Sequence, residues 1–74
     1  MSEITTATGG DGWSQWWTKR LRSGAYEIEV SSNAEKASDG TPKIIHHSED
    51  IRDGRAAVDR ALSVSSKYAH RMAS

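Results

Sequence analysis

The residues best equipped for chemistry form a short string: His46, His47, Glu49, Asp50 and Asp53. Imidazole and carboxylate are metal ligands, and imidazole is the side chain that titrates nearest neutral pH. A catalytic metal needs three ligands converging on it, with one position left open. Adjacent residues of an extended chain point to opposite faces, so His46 and His47 are not expected to share an ion. The string therefore reads as surface histidines ahead of an acidic helix cap, and no metal site is assigned. Cysteine is absent, which excludes disulfides and thiolate ligands. Serines are frequent, yet none stands in a Gly-x-Ser-x-Gly elbow. Gly9-Gly10-Asp11-Gly12 lacks both the lysine and the preceding apolar strand of a phosphate loop. Asp53 and Asp59 are accounted for by a helix start and a surface. A chain of 74 residues also has little material with which to enclose a pocket of about 300 Å³. No catalytic residue and no cofactor is assigned, and the chain is not expected to be an enzyme.

The chemistry that remains is binding. Trp13, Trp16 and Trp17 crowd into one short stretch, with Arg20 and Arg22 just beyond. Each indole can bury ~150–250 Å² and needs a partner for its N–H. Tryptophan and arginine are also the residues most enriched where proteins grip one another. Trp16, Trp17, Arg20 and Arg22 are the candidate anchors, with Glu27 and Glu29 as an acidic rim. A second candidate is the stripe Arg60, Lys67 and Arg71, which could track phosphates or could simply be the wet side of a helix. Ten basic and ten acidic residues cancel, so no global field draws the chain to nucleic acid or anionic lipid. Glu27 and Glu29 argue against a membrane surface for the tryptophans. The start, Met-Ser-Glu-Ile, lacks the basic and apolar regions of a signal peptide. The expected location is the cytoplasm of a microbe, or of a host if the source is viral.

Four elements are expected to position these residues. Residues 53–72 carry the strongest signal. Val58, Ala61, Leu62, Ser65, Tyr68, Ala69 and Met72 share one face at helical spacing, opposite Arg60, Lys67 and Arg71. Asp50 or Asp53 can cap the start. Residues 11–24 read as a second helix: Asp11 caps it, Trp13, Trp16, Trp17 and Leu21 fall on one face, and Gly24 ends it. A strand through the same residues, with Trp13, Gln15, Trp17, Lys19 and Leu21 on one face, would have to bury Gln15 and Lys19. Residues 25–31 alternate, Tyr26, Ile28 and Val30 against Glu27 and Glu29, as a strand with one wet face does. A polar loop over 33–41 turns at Asp39-Gly40, and a second strand covers 43–48. Residues 1–10 read as a flexible tail or as an edge strand through Ile4.

The expectation is thus a single small α+β domain over 11–74, ordered helix, β-hairpin, helix. Its antiparallel sheet has two strands, or three with the Ile4 segment, packed against the C-terminal helix. Two strands make a marginal sheet, so association is expected, with a protein partner or with a second copy as a homodimer.

The strand Tyr26-Glu27-Ile28, then Gly40 with Lys43-Ile44-Ile45, then Ser48-Glu49 and the alanine-rich stretch 55–64 resemble the YegP-like family of unknown function. That resemblance covers about half the chain and implies a hairpin followed by a helix. In size and layout the chain is also similar to small phage-encoded inhibitors such as anti-CRISPR proteins. That likeness implies a non-catalytic protein that binds a larger host complex, a multi-subunit one included. Nucleic-acid binding through Arg60, Lys67 and Arg71, or a structural role in an assembly, are the alternatives.

Overall fold

The computed structural model describes residues 3–74. The chain runs through β1 (Ile4–Gly10), β2 (Ser14–Arg20), β3 (Tyr26–Lys36), β4 (Pro42–Ile51) and α1 (Gly54–Ala73). The strands form one antiparallel sheet in sequence order, β1-β2-β3-β4. This overturns the expected helix–hairpin–helix. The sheet has four strands rather than two or three, and the one helix among the described residues is C-terminal.

The largest correction lies in residues 11–24, which hold β2 and not a helix. Two periods coexist in that stretch. Trp13, Trp16, Trp17 and Leu21 fit a helical face, but Ser14, Trp16 and Thr18 also alternate with Gln15, Trp17 and Lys19. The structure uses the second. The strand is possible because its buried side is Ser14, Trp16 and Thr18, leaving Gln15 outside and Lys19 only half-covered. Small hydroxyl residues can be hidden when their oxygens have partners. Ser14 Oγ lies 2.7 Å from Ser65 Oγ, and Thr18 Oγ1 lies 2.8 Å from Thr6 Oγ1. The punctuation is real but serves turns. Asp11 Oδ1 accepts the N–H groups of Trp13 (3.0 Å) and Ser14 (3.1 Å), the short-range bonding that Asp offers to a turn as readily as to a helix start. Gly24, at φ 91°, closes the β2–β3 hairpin, its N–H donating to the Leu21 carbonyl at 3.0 Å. That left-handed backbone is what glycine permits.

β3 keeps the expected alternation, and both β3 and β4 run longer than expected, so the 33–41 loop shrinks to a tight turn over 37–41. Asp39 Oδ1 accepts from the Thr41 N–H at 3.1 Å and from its hydroxyl at 2.6 Å, and Gly40 sits at φ 88°. Pro42 opens β4 on the outer edge of the sheet, where a missing N–H costs little.

α1 begins where expected. Asp53 Oδ2 accepts the Ala56 N–H at 3.0 Å, and Glu49 and Asp50 belong to β4 instead of the helix. The helix crosses β2 and β3 on one face of the sheet. Its buried line is Ala57, Ala61, Ser65 and Tyr68, and Leu62 is left 50% exposed. Trp16, Ile28, Val30, Ala57 and Ala61 make the core, with Ala7, Tyr26, Ile45, Ile51, Val58 and Val64 packed around it. Two alanines at the crossing let the helix come close to the sheet. Among the described residues, no helix is long and apolar enough to cross a membrane.

Candidate functional site on the open sheet face

With α1 on one face, the other face of the sheet carries no helix. Strand alternation decides what it shows. Register aligns Thr8 with Trp17, Trp17 with Glu29, and Glu29 with His47, a row that crosses all four strands. Beside it run Thr5, Lys19 and Glu27, also in register. Thr8, Gln15, Trp17, Glu29 and Ser31 line a shallow hollow of about 520 Å³.

The charges of this face are coupled. Lys19 Nζ stands 5.1 Å from the centre of the Trp17 ring, within range for a cation–π contact. The same ammonium lies 3.9 Å from Glu27 and 3.7 Å from Glu3. His47 Nε2 is 2.6 Å from Glu27 Oε2 and 3.9 Å from Glu49 Oε2. The hydrogen bond to Glu27 holds the His47 imidazole above its ordinary pKa; partial burial opposes this, and the charges of Glu27, Glu49 and Glu29 add to it. Four carboxylates (Glu3, Glu27, Glu29 and Glu49) face one lysine and one histidine. Carboxylates outnumber cations in this cluster, and its lysine is the one that lies over the Trp17 indole.

Donor atoms of Glu27, His47 and Glu49 lie within 4.8 Å of one another, so these are the residues that could hold a cation. A metal would have to break the short His47–Glu27 bond and share Glu27 with Lys19. The longer string in the sequence does not converge. His46 turns to the opposite face from His47, its Nε2 buried without a hydrogen-bond partner. Asp50 accepts from the Ser48 hydroxyl at 3.0 Å, and Asp53 caps α1.

The proposed anchors are split by the strand. Trp16 is 7% exposed and belongs to the core. Trp17, one residue on, is on the open face together with Glu27 and Glu29. Arg20 ends β2 paired with Ile4 and Tyr26, out of step with Lys19 and Trp17, and Arg22 is exposed in the hairpin turn. Arg60, Lys67 and Arg71 are exposed on α1, but Arg71 is not opposite the buried line as expected: it lies 5.5 Å over the ring of the buried Tyr68. Lys19, His47 and Thr8 are members of this surface that the sequence reading does not include. The signal is available: once residues 14–20 are read with period two, Trp17 and Lys19 take the same side as Glu27 and Glu29. Compared with family models, with curated proteins and with solved structures, the chain matches none.

Proposed function

We propose that the chain is a non-catalytic protein-binding module whose contact surface is the open sheet face. Trp17 is the anchor, and Glu27, Glu29 and Glu49 set the orientation. One observation carries this reading: a half-covered indole lies on the helix-free side of the sheet, at a shallow hollow, with Lys19 over its ring and Glu29 opposite it on the next strand. An aromatic side chain at the centre of a patch is what concentrates binding energy. An excess of charge of one sign on the surrounding face selects the partner and speeds the encounter. The fitting partner is a protein surface with basic residues around an apolar notch. The mechanism is steric occupation, as for a small phage or microbial inhibitor or accessory protein that seats on a larger host complex in the cytoplasm.

The test is capture from the lysate of the native host, with bound proteins identified by mass spectrometry. Wild type should retain one partner or complex. Trp17→Ala should lose it with an unchanged circular dichroism spectrum, and Leu62→Ala, on the other side of the molecule, should keep it. Equal capture by Trp17→Ala removes the open face from the reading.

A second reading rests on Arg60, Lys67 and Arg71, three exposed cations along one stripe of α1. It assigns the chain to nucleic acid. A salt-dependent shift of mixed-sequence DNA or RNA, abolished by Arg60→Glu with Lys67→Glu, would favour it. The acidic open face weighs on the other side.

A further inference from the structure

The two edges of the sheet are built differently. β4 begins with Pro42 and Lys43 and carries Glu49 and Asp50 just before its last residue, Ile51. Proline and charge are the usual means of stopping an edge strand from pairing with another chain. β1 reads Ile-Thr-Thr-Ala-Thr-Gly-Gly, without a charge or a proline, and is exposed along nearly its whole length. Its one irregularity is a bulge at Thr6, whose hydroxyl is turned inward onto Thr18. This edge, free of charge and proline, is also the one that helix α1 hardly covers.

Beside that edge, on the helix side, lies a groove of about 370 Å³ between Gly9, Gly10 and Trp16 of the sheet and Leu62 and Ala69 of the helix, with Asp11 also in its lining. Gly9 and Gly10 form its strand wall, and both are packed tightly against β2: a Cβ on Gly10 would lie 2.7 Å from the Ser14 carbonyl oxygen. Trp16 fills the space under Gly9 so closely that a Cβ there would lie 2.5 Å from the ring. At the other end of the same strand, Ile4 stands 54% exposed. One strand therefore carries a knob at its start and one wall of a hollow at its end.

We propose that two copies of the chain pair antiparallel through β1 about a two-fold axis, with Ile4 of each opposite Gly9 of the other. Side-chain direction sets this register. Residues opposite one another across two strands must point to the same face. Ile4, Thr6, Ala7 and Gly9 face the helix side, and Thr5 and Thr8 face the open side, judged from their partners on β2. Pairing Ile4 with Gly9, Thr5 with Thr8 and Thr6 with Ala7 satisfies every position. A shift of one residue violates it.

In that register each Ile4 enters the other copy's groove beside Leu62, and a Thr5–Thr8 pair closes the open face on each side of the axis. An isologous contact must be complementary to itself. The strand carries no charge of its own, and it supplies the knob and one wall of the hollow. Glu3, next along the chain, is held by Lys19 of its own copy. A second copy therefore fits this edge better than a foreign strand, which would fill the hollow only by coincidence. The product is an eight-stranded sheet with both helices on one side. The inference stands apart from the proposed protein-binding role, since its test needs no partner.

Light scattering coupled to size-exclusion chromatography at micromolar concentration tests it directly. Wild type should elute at twice the 8.1 kDa of the chain. Ile4→Lys, an exposed change that adds an edge charge, should elute as a monomer with the same circular dichroism spectrum. The chain has no cysteine, so Thr5→Cys with Thr8→Cys reports the register. Oxidised glutathione should convert this variant to a covalent dimer. The glutathione disulfide is reduced as each new disulfide forms between position 5 of one copy and position 8 of the other. Within one extended strand those two positions are ~10 Å apart and cannot bridge. A monomeric wild type overturns the proposal. So does a dimer that survives Ile4→Lys, or one whose double-cysteine variant does not cross-link.

Discussion

Neighbouring tryptophans of β2 do opposite things. Trp16 packs against Ile28, Val30, Ala57 and Ala61, while Trp17 shares the open face with Lys19 and Glu29. Trp16→Ala should cost about 3–5 kcal/mol, most of the stability that a domain of this size has. It should be unfolded or close to it in urea titrations, whereas Trp17→Ala should shift the midpoint little. A second residue is tied to the same ring. A Cβ on Gly9 would lie 2.5–2.9 Å from three atoms of the Trp16 indole, so Gly9→Ala should destabilise by about 1–3 kcal/mol through overpacking. The hydroxyl chain under α1 gives a pH signature. Ser32 Oγ lies 2.6 Å from the Tyr68 hydroxyl, which donates to Glu35 Oε1 at 2.8 Å. That bond is the largest cause holding the Glu35 pKa below 4.5, and the hydrogen bond from Lys43 is the next. A carboxylate with a depressed pKa adds stability that is present above its unfolded pKa and is lost as pH falls through its folded one. Tyr68→Phe should therefore be less stable than wild type near neutrality. The gap should narrow as pH is taken below 4.5, in thermal melts across that range.

Legibility differs between elements for physical reasons. α1 is readable over nearly its full length, since alanines, a capping Asp and an apolar stripe at helical spacing all agree. The cap is itself testable: Asp53→Ala removes the acceptor for the Ala56 N–H and should cost about 0.5–2 kcal/mol in denaturant unfolding. β3 is readable because Tyr26, Ile28 and Val30 mark one face and Glu27 and Glu29 the other. β2 is not, because its buried side is one indole between two hydroxyls, and Ser14 and Thr18 look like surface residues in a string of letters. What hides them is Ser65, 51 residues away from Ser14, and Thr6 on a different strand. No local period contains that information. The candidate surface fails in step with β2. The acids at positions 27 and 29 are on the expected element and face, but their companions Lys19 and His47 arrive through register with β2 and β4. Register is a tertiary property.

At the scale of the whole molecule, a net charge of zero hides local groupings of charge. The open face holds Glu27, Glu29 and Glu49 around Lys19 and His47, while Arg60, Lys67 and Arg71 are exposed on α1. Net charge therefore says nothing about either face; each has its own local field. Those groupings distinguish the two readings of function by sign. If the open face meets a basic protein surface, long-range attraction should raise the association rate, and salt should lower it as the screening length falls from about 10 Å at 0.1 M to about 3 Å at 1 M. Glu27→Gln with Glu29→Gln should slow association and flatten its dependence on salt, while dissociation, governed by Trp17 in its notch, changes much less. Arg60→Glu with Lys67→Glu should leave the salt slope as it was. Surface plasmon resonance against the captured partner at several ionic strengths measures both rates. If instead the slope follows Arg60 and Lys67 and ignores Glu27 and Glu29, the chain meets its partner through the exposed cations of α1, and the open sheet face is not the binding surface.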